Sequence, residues 1–193
     1  EMDKEKGIAM MKDSIEQGSI YAARCLAQCY ITKNGVEEEG DEKAIDLLRT
    51  AQSCGDLEST YLLAKSIRKK GLEEMDFDLL EEAMSLFEKA AMKGHPGASH
   101  EFAMIYSQGF EIYIDKEKAF EFFQIASQKN HPQATTELGK LYEKQHENEK
   151  AFKSYQKASN LGDNDGLYHL GMCYLKGIGV DIDKGKGRSL IEK

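Results

Sequence analysis

The side chains that could do chemistry are four cysteines, five histidines and an excess of carboxylates, and their spacing sets what they can do. Cys25 and Cys29 stand four apart in a helical pattern, which suits sharing a face but is poor for a mutual disulfide. Cys54 falls near the end of the following helix, so a Cys25–Cys54 bridge stays open. Only one pair of neighbouring helices carries such a combination, which favours reduced thiols and a cytoplasmic setting; the lack of an Asn-x-Ser/Thr acceptor agrees. His95 and His131, in Gly94-His95-Pro96 and Asn130-His131-Pro132, occupy one recurring turn and read as structural; His100, His146 and His169 have no metal-ligand spacing. Asp76, Asp78 and Glu81 suggest calcium, but the ordered spacing and mid-loop glycine of a twelve-residue calcium loop are missing. No Gly-x-Ser-x-Gly elbow, Walker-type loop, His-Glu-x-x-His or Cys-x-x-Cys occurs, and Gly177-x-Gly179 follows a helix rather than a strand. The expectation is a chain that is not an enzyme, with no catalytic residue, metal or cofactor.

The elements that carry these residues repeat. A nine-residue segment recurs at Ala22–Tyr30, Ser59–Ile67, Ala98–Tyr106, Ala134–Tyr142 and Gly166–Tyr174: a small residue first, a large apolar residue fifth, Ala or Gly sixth, and usually Tyr ninth. Interleaved with it, a small residue is followed eleven places on by Gly or Asn and fifteen places on by the next opening residue. The triplets are Gly7/Gly18/Ala22, Ala44/Gly55/Ser59, Ala83/Gly94/Ala98, Ala119/Asn130/Ala134 and Ala151/Gly162/Gly166. A Gly or Asn there suits the left-handed residue that ends a helix. Apolar pairs Met10/Met11, Leu47/Leu48, Leu86/Phe87 and Phe122/Phe123, with Ser154/Tyr155 as a weaker version, mark the middle of each second helix, and Ser14, Ala51, Ala90, Ala126 and Ala158 its close-packed later turn. The distance from the ninth position to the next small residue varies: 14, 16, 13, 9 and, for Tyr174 to Gly185, 11. Length variation is therefore confined to one loop type, as in stacked repeats. The pattern predicts an all-α fold: a right-handed α/α superhelical solenoid of about five helix pairs, about eleven helices in all.

The expected layout is one repeat domain over 1–193, with a half repeat at 1–21 and repeats at about 22–58, 59–97, 98–133, 134–165 and 166–193, the last incomplete. A start at Glu1 and a helix still running from Asp183 to Lys193 point to a piece of a longer protein. The net charge of −8 disfavours nucleic acid, which is met by basic faces, and no apolar run is long enough to insert into a membrane. The acidic runs Glu37–Glu42 and Glu73–Asp78 read as solvated loops whose carboxylates favour the start of the next helix, rather than as a site for a basic partner.

The run Leu170-Gly171-Met172-Cys173-Tyr174-Leu175-Lys176-Gly177-Ile178-Gly179-Val180-Asp181, followed by Lys184, resembles the signature of the Sel-one-like repeat family, relatives of the tetratricopeptide repeat. Phe102–Gly109 with Asp115 and Lys118-Ala119 is a second copy, and Leu138–Tyr142 a third. Ile67 in place of Tyr, and a short loop in the fourth repeat, depart from it. The resemblance implies a protein-binding adaptor. Helical periodicity assigns the core stripe to the opening position and those four, five and eight places on, leaving those two and six places on free of it. Similarity to tetratricopeptide arrays then implies that these line a concave groove: Arg24, Gln28, Tyr61, Lys65, His100, Met104, Thr136, Lys140, Tyr168 and Met172. Such a face suits an extended or helical peptide of a partner protein with some acidic character. The alternative is a regulatory segment of a larger enzyme or signalling protein, docking in cis through its terminal helices.

Overall fold

A computed structural model describes residues 2–33, 40–109 and 115–192. Among them are eleven α-helices and no strand, as the repeat pattern predicts: α1 (Met2–Glu16), α2 (Ile20–Ile31), α3 (Gly40–Ser53), α4 (Leu57–Glu74), α5 (Phe77–Met92), α6 (Pro96–Gln108), α7 (Lys116–Gln128), α8 (Pro132–Lys144), α9 (Asn148–Asn160), α10 (Asn164–Lys176) and α11 (Lys184–Ile191). They fall into two compact units, residues 1–95 with α1–α5 and residues 96–193 with α6–α11. Within each unit nearly every helix packs on its neighbours in sequence, so burial is local and the core is a row of layers. No helix among the described residues is long and apolar enough to cross a membrane.

The helices start and stop where their residues dictate. Ser19, Asp56, Asp115, His131, Asp163 and Asp183 each accept a backbone N–H of the following first turn, satisfying donors that have no partner inside a helix. Gly18, Gly55, Gly94, Asn130 and Gly162, the five predicted stops, all have positive φ. The small positions are equally consistent, with Ala44, Ala83, Ala119 and Ala151 of the second helices at no more than 1% exposure. In the first unit Ala27, Leu48, Leu63 and Ile67 share one core cluster, and in the second Ala151, Tyr155, Leu170, Cys173 and Tyr174 share another.

Two expectations need correction. The small residue of the last second helix is Gly187, not Gly185. A Cβ on Gly187 would lie 2.7 Å from Leu175 and 2.8 Å from the Gly171 carbonyl, whereas one on Gly185 would meet nothing closer than 3.5 Å. Gly187 follows Tyr174 by thirteen residues, the interval from Tyr106 to Ala119. At the other end, Gly7 faces open space and Met10 is exposed. Helix α1 packs chiefly on α2, so the Gly7 and Met10 half of its predicted stripe is left unburied. All four cysteines are free thiols, including Cys25 and Cys54. Residues 37–39 of the first acidic run lie outside the described residues; of the rest, Asp41 and Glu42 pair with Lys69 and Lys70 of α4 at 2.9 and 3.1 Å.

Candidate functional site

The first helices α2, α4, α6, α8 and α10 carry the ten candidate residues, and the structure separates them by position. Two places after the opening residue, the side chain reaches the residue three places before the next repeat's opening. Arg24 Nη1 donates to both carboxylate oxygens of Asp56 at 3.0 Å. The Tyr61 ring stacks on His95 with centroids 4.5 Å apart, and His95 Nε2 lies 2.9 Å from the Glu58 carboxylate. His100 stacks on His131 at 4.7 Å, while His131 Nδ1 accepts the Ala134 N–H at 3.2 Å. Thr136 donates its hydroxyl to Asp163, which also accepts the Gly166 N–H. An ion pair, two ring stacks and a hydroxyl–carboxylate bond thus do one job: each ties a first helix to the turn that ends the following second helix.

That job removes residues from the candidate face. Thr136 is 1% exposed; it belongs to the α8–α10 contact and offers nothing to a partner, because Asp163 must be satisfied from inside. Burial alone would raise the Asp56 carboxyl, but the hydrogen bonds from Ser59 and the charge of Arg24 outweigh it and hold the group below its usual range. Arg24, Tyr61 and His100 are only partly exposed. Tyr168, in the last first helix, is 48% exposed.

Six places after the opening residue the side chains are less committed. Gln28 and Lys65 are exposed, with Lys65 Nζ 5.5 Å above the Tyr61 ring. Met104 and Met172 are half-buried, and Lys140 is bridged to Glu137 at 2.8 Å. In the first unit this leaves Gln28, and Lys65 over the Tyr61 ring; in the second it leaves Met104, Lys140, Tyr168 and Met172.

Sequence reasoning missed Tyr155, seen only as a weak member of a mid-helix pair. It is fully buried in α9, its hydroxyl donates to Glu143 of α8 at 2.9 Å, and its ring stacks on His169 of α10 at 4.8 Å. Burial and the neighbouring Glu143 carboxylate raise the phenol well above its usual range. Burial and Lys140 lower the His169 imidazole, and burial pushes the Cys173 thiol up to about 11, which makes it a poor nucleophile at neutral pH. The signal for Tyr155 was Gly139: a Cβ there would lie 2.5 Å from the ring.

Asp76 accepts the N–H groups of Asp78 and Leu79 and so caps α5. Among the described residues, no group of three His, Cys, Asp or Glu is placed to hold a metal ion.

A family model described as Sel1 repeat matches residues 58–95, 98–131, 132–163 and 164–193. No curated protein matches the chain. Among solved structures, it is similar to a Sel1 repeat protein from Oxalobacter formigenes, with a TM-score of 0.86 and 22% identity over 98% of this chain and 78% of that one. It is also similar to a protective antigen of uropathogenic Escherichia coli that displays an SLR fold, with a TM-score of 0.82 and 20% identity over 96% of this chain. The chain spans 40% of the length of that antigen. An immunity protein from Pseudomonas aeruginosa follows, with a TM-score of 0.60 and 25% identity over 96% of this chain and 72% of that one.

Proposed function

The chain belongs to the Sel1 repeat family, and from that premise we propose that it is a non-catalytic adaptor whose first-helix face holds a peptide or helix of a partner protein. The fold generally mediates protein–protein interaction, typically without catalysis. The observation that carries the reading is the split between the two sets of positions. In the first four repeats the residue two places after the opening is engaged by the turn that follows, whereas Tyr168 in the fifth is 48% exposed and the residues six places after the opening are exposed or half-buried in every first helix. In the second unit this face combines Met104, Met172 and Tyr168 with Lys140, pairing adaptable apolar area with a cation. In the first, Lys65 over Tyr61 supplies a positive centre, and Gln28 is exposed on the preceding first helix. A short acidic segment with apolar anchors fits both. Stacked helices keep the face rigid, so little entropy is lost on binding.

The test is capture of partners from a native lysate by the wild-type chain and by a Lys65→Ala, Met104→Ala, Tyr168→Ala, Met172→Ala variant. None of these side chains is fully buried, so helicity is retained. Loss of the captured protein from the variant supports the face as the site; identical capture with intact helicity removes it.

A further inference from the structure

The α4–α5 turn is built like the α8–α9 turn but carries different side chains. In both, a non-glycine residue with left-handed φ, Met75 at 54° and His146 at 60°, precedes the residue that opens the next helix. In both, the N–H of that next residue returns to a carbonyl five places back, Asp76 to Gly71 and Glu147 to Tyr142, at 2.9 Å. Around His146 the turn reads Glu143, Lys144, Gln145, Glu147 and Asn148, with no apolar side chain. The aligned stretch around Met75 holds Leu72 at 38% exposure, Met75 at 73% and Phe77 at 80%. The same backbone with polar residues shows that the turn itself does not need these three.

The helix pair is also longer. Helices α4 and α5 have 18 and 16 residues, against 13 each for α8 and α9. Seventeen residues separate Ser59 from Asp76, against thirteen from Ala134 to Glu147, so the turn sits about one helical turn, about 5 Å, further out along its pair. Exposed Glu73, Glu74, Asp78 and Glu81 interleave with and flank the apolar residues along the chain. Lys69 and Lys70, one helical turn back on α4, are engaged chiefly by Asp41 and Glu42 and reach Glu73 and Glu74 only at 3.9 and 4.0 Å. A capped, hydrogen-bonded turn thus presents three large apolar side chains within an acidic rim, where solvation alone would select polar residues.

We infer that this projecting turn is a second docking surface, distinct from the first-helix face, and that its partner is a basic amphipathic segment of another protein: apolar residues to cover Leu72, Met75 and Phe77, and Lys or Arg to meet the rim. The charge of the rim selects this occupant over an acidic peptide, and the rigid turn lowers the ordering cost of contact.

The experiment titrates the full chain against a fluorescent helical Lys/Leu peptide with its leucines on one face, and against oligolysine of equal charge, in low and moderate salt. The expected result is binding of the amphipathic peptide at least tenfold tighter than of oligolysine, weakening with salt. Met75→Asn with Phe77→Asn, which keeps a residue suited to left-handed φ and copies Asn148, should leave thermal stability unchanged and weaken peptide binding at least tenfold. Neutralising Glu73, Glu74 and Asp78 to their amides should flatten the salt dependence. The Lys65/Met104/Tyr168/Met172 variant should bind the peptide like wild type, which separates this surface from the first-helix face. Absence of peptide binding, binding no tighter than oligolysine, or affinity unchanged in the Met75/Phe77 variant would overturn the inference. So would association of the chain with itself that those two substitutions abolish, since the occupant would then be a second copy.

Discussion

Two adjacent helix pairs of the second unit solve the same packing problem with different residues. In α6–α7 the sixth place of the nine-residue segment is Ala103 and the large residue of the second helix is Phe123, exposed by 0% and 1%. In α8–α9 the corresponding residues are Gly139 and Tyr155. Losing one methyl from α8 lets the Tyr155 ring lie against its backbone, and from there the hydroxyl reaches Glu143 and the ring reaches His169. The frame of small residues is fixed by the repeat, but a single carbon decides whether a layer is purely apolar or carries a polar route from the second helix to the first-helix face.

Restoring that carbon is the most direct way to break the difference. Gly139→Ala places a Cβ 2.5 Å from Cε1 and 2.7 Å from Cδ1 of Tyr155, and the ring cannot retreat without losing Glu143. The expected cost is about 2 to 3 kcal/mol, read by denaturant unfolding. Combining it with Tyr155→Phe recreates the Ala/Phe combination of α6–α7. With the hydroxyl tether gone, the ring can shift, so the double variant should recover about 1 kcal/mol relative to the sum of the single changes. Strict additivity would show that the two residues do not constrain each other.

The glycines of α11 sharpen the same comparison by fixing its register. Gly187→Ala drives a Cβ against Leu175 and the Gly171 carbonyl, with an expected cost of about 1 to 2 kcal/mol, limited because a terminal helix can detach. Gly185→Ala meets no close neighbour and should stabilise by up to about 1 kcal/mol through helix propensity. If the two variants exchanged behaviour in thermal melts, the thirteen-residue interval from Tyr174 would be the wrong register.

The ambiguity at Gly185 and Gly187 shows where sequence reading stops. Helix stops at Gly18, Gly55, Gly94, Asn130 and Gly162 were legible because each is a local requirement of backbone geometry. The register of α11 was not, since Lys184-Gly185-Lys186-Gly187 offers a small residue at either of two positions and only packing on Leu175 chooses. Helical periodicity set Arg24, Tyr61, His100 and Thr136 off the core stripe, yet Thr136 is buried and the partners of all four, Asp56, His95, His131 and Asp163, are about thirty residues away. Nothing in the spacing of one helix names a contact with the next.

Smaller effects come from the polar groups themselves. Tyr155→Phe alone keeps the buried ring and removes only the bond to Glu143, so it should cost about 1 kcal/mol. Phe123→Tyr has Ala103 rather than a glycine at the corresponding place; any cost beyond that of burying an unpaired hydroxyl would measure how far a layer with the methyl resists the polar route.

The Arg24–Asp56 joint gives the smallest effect and the one with a pH signature. The folded carboxyl lies below its ordinary value of about 4, so its contribution to stability is complete above the unfolded pKa and is lost as pH falls through the folded one. Stability of the wild type should therefore decline more steeply than that of Asp56→Asn as pH falls below the ordinary carboxylate range. Arg24→Met should reduce that extra slope without abolishing it, because the bonds from the Ser59 N–H and hydroxyl also favour the ionised form. At the Thr136–Asp163 joint a neutral hydroxyl takes the place of the guanidinium, so Thr136→Val should change stability near neutral pH while leaving the acid slope due to Asp56 intact. Equal acid slopes in wild type and Asp56→Asn would show that the ion pair is too solvated to favour the folded state, and that geometry alone holds the first two repeats in register.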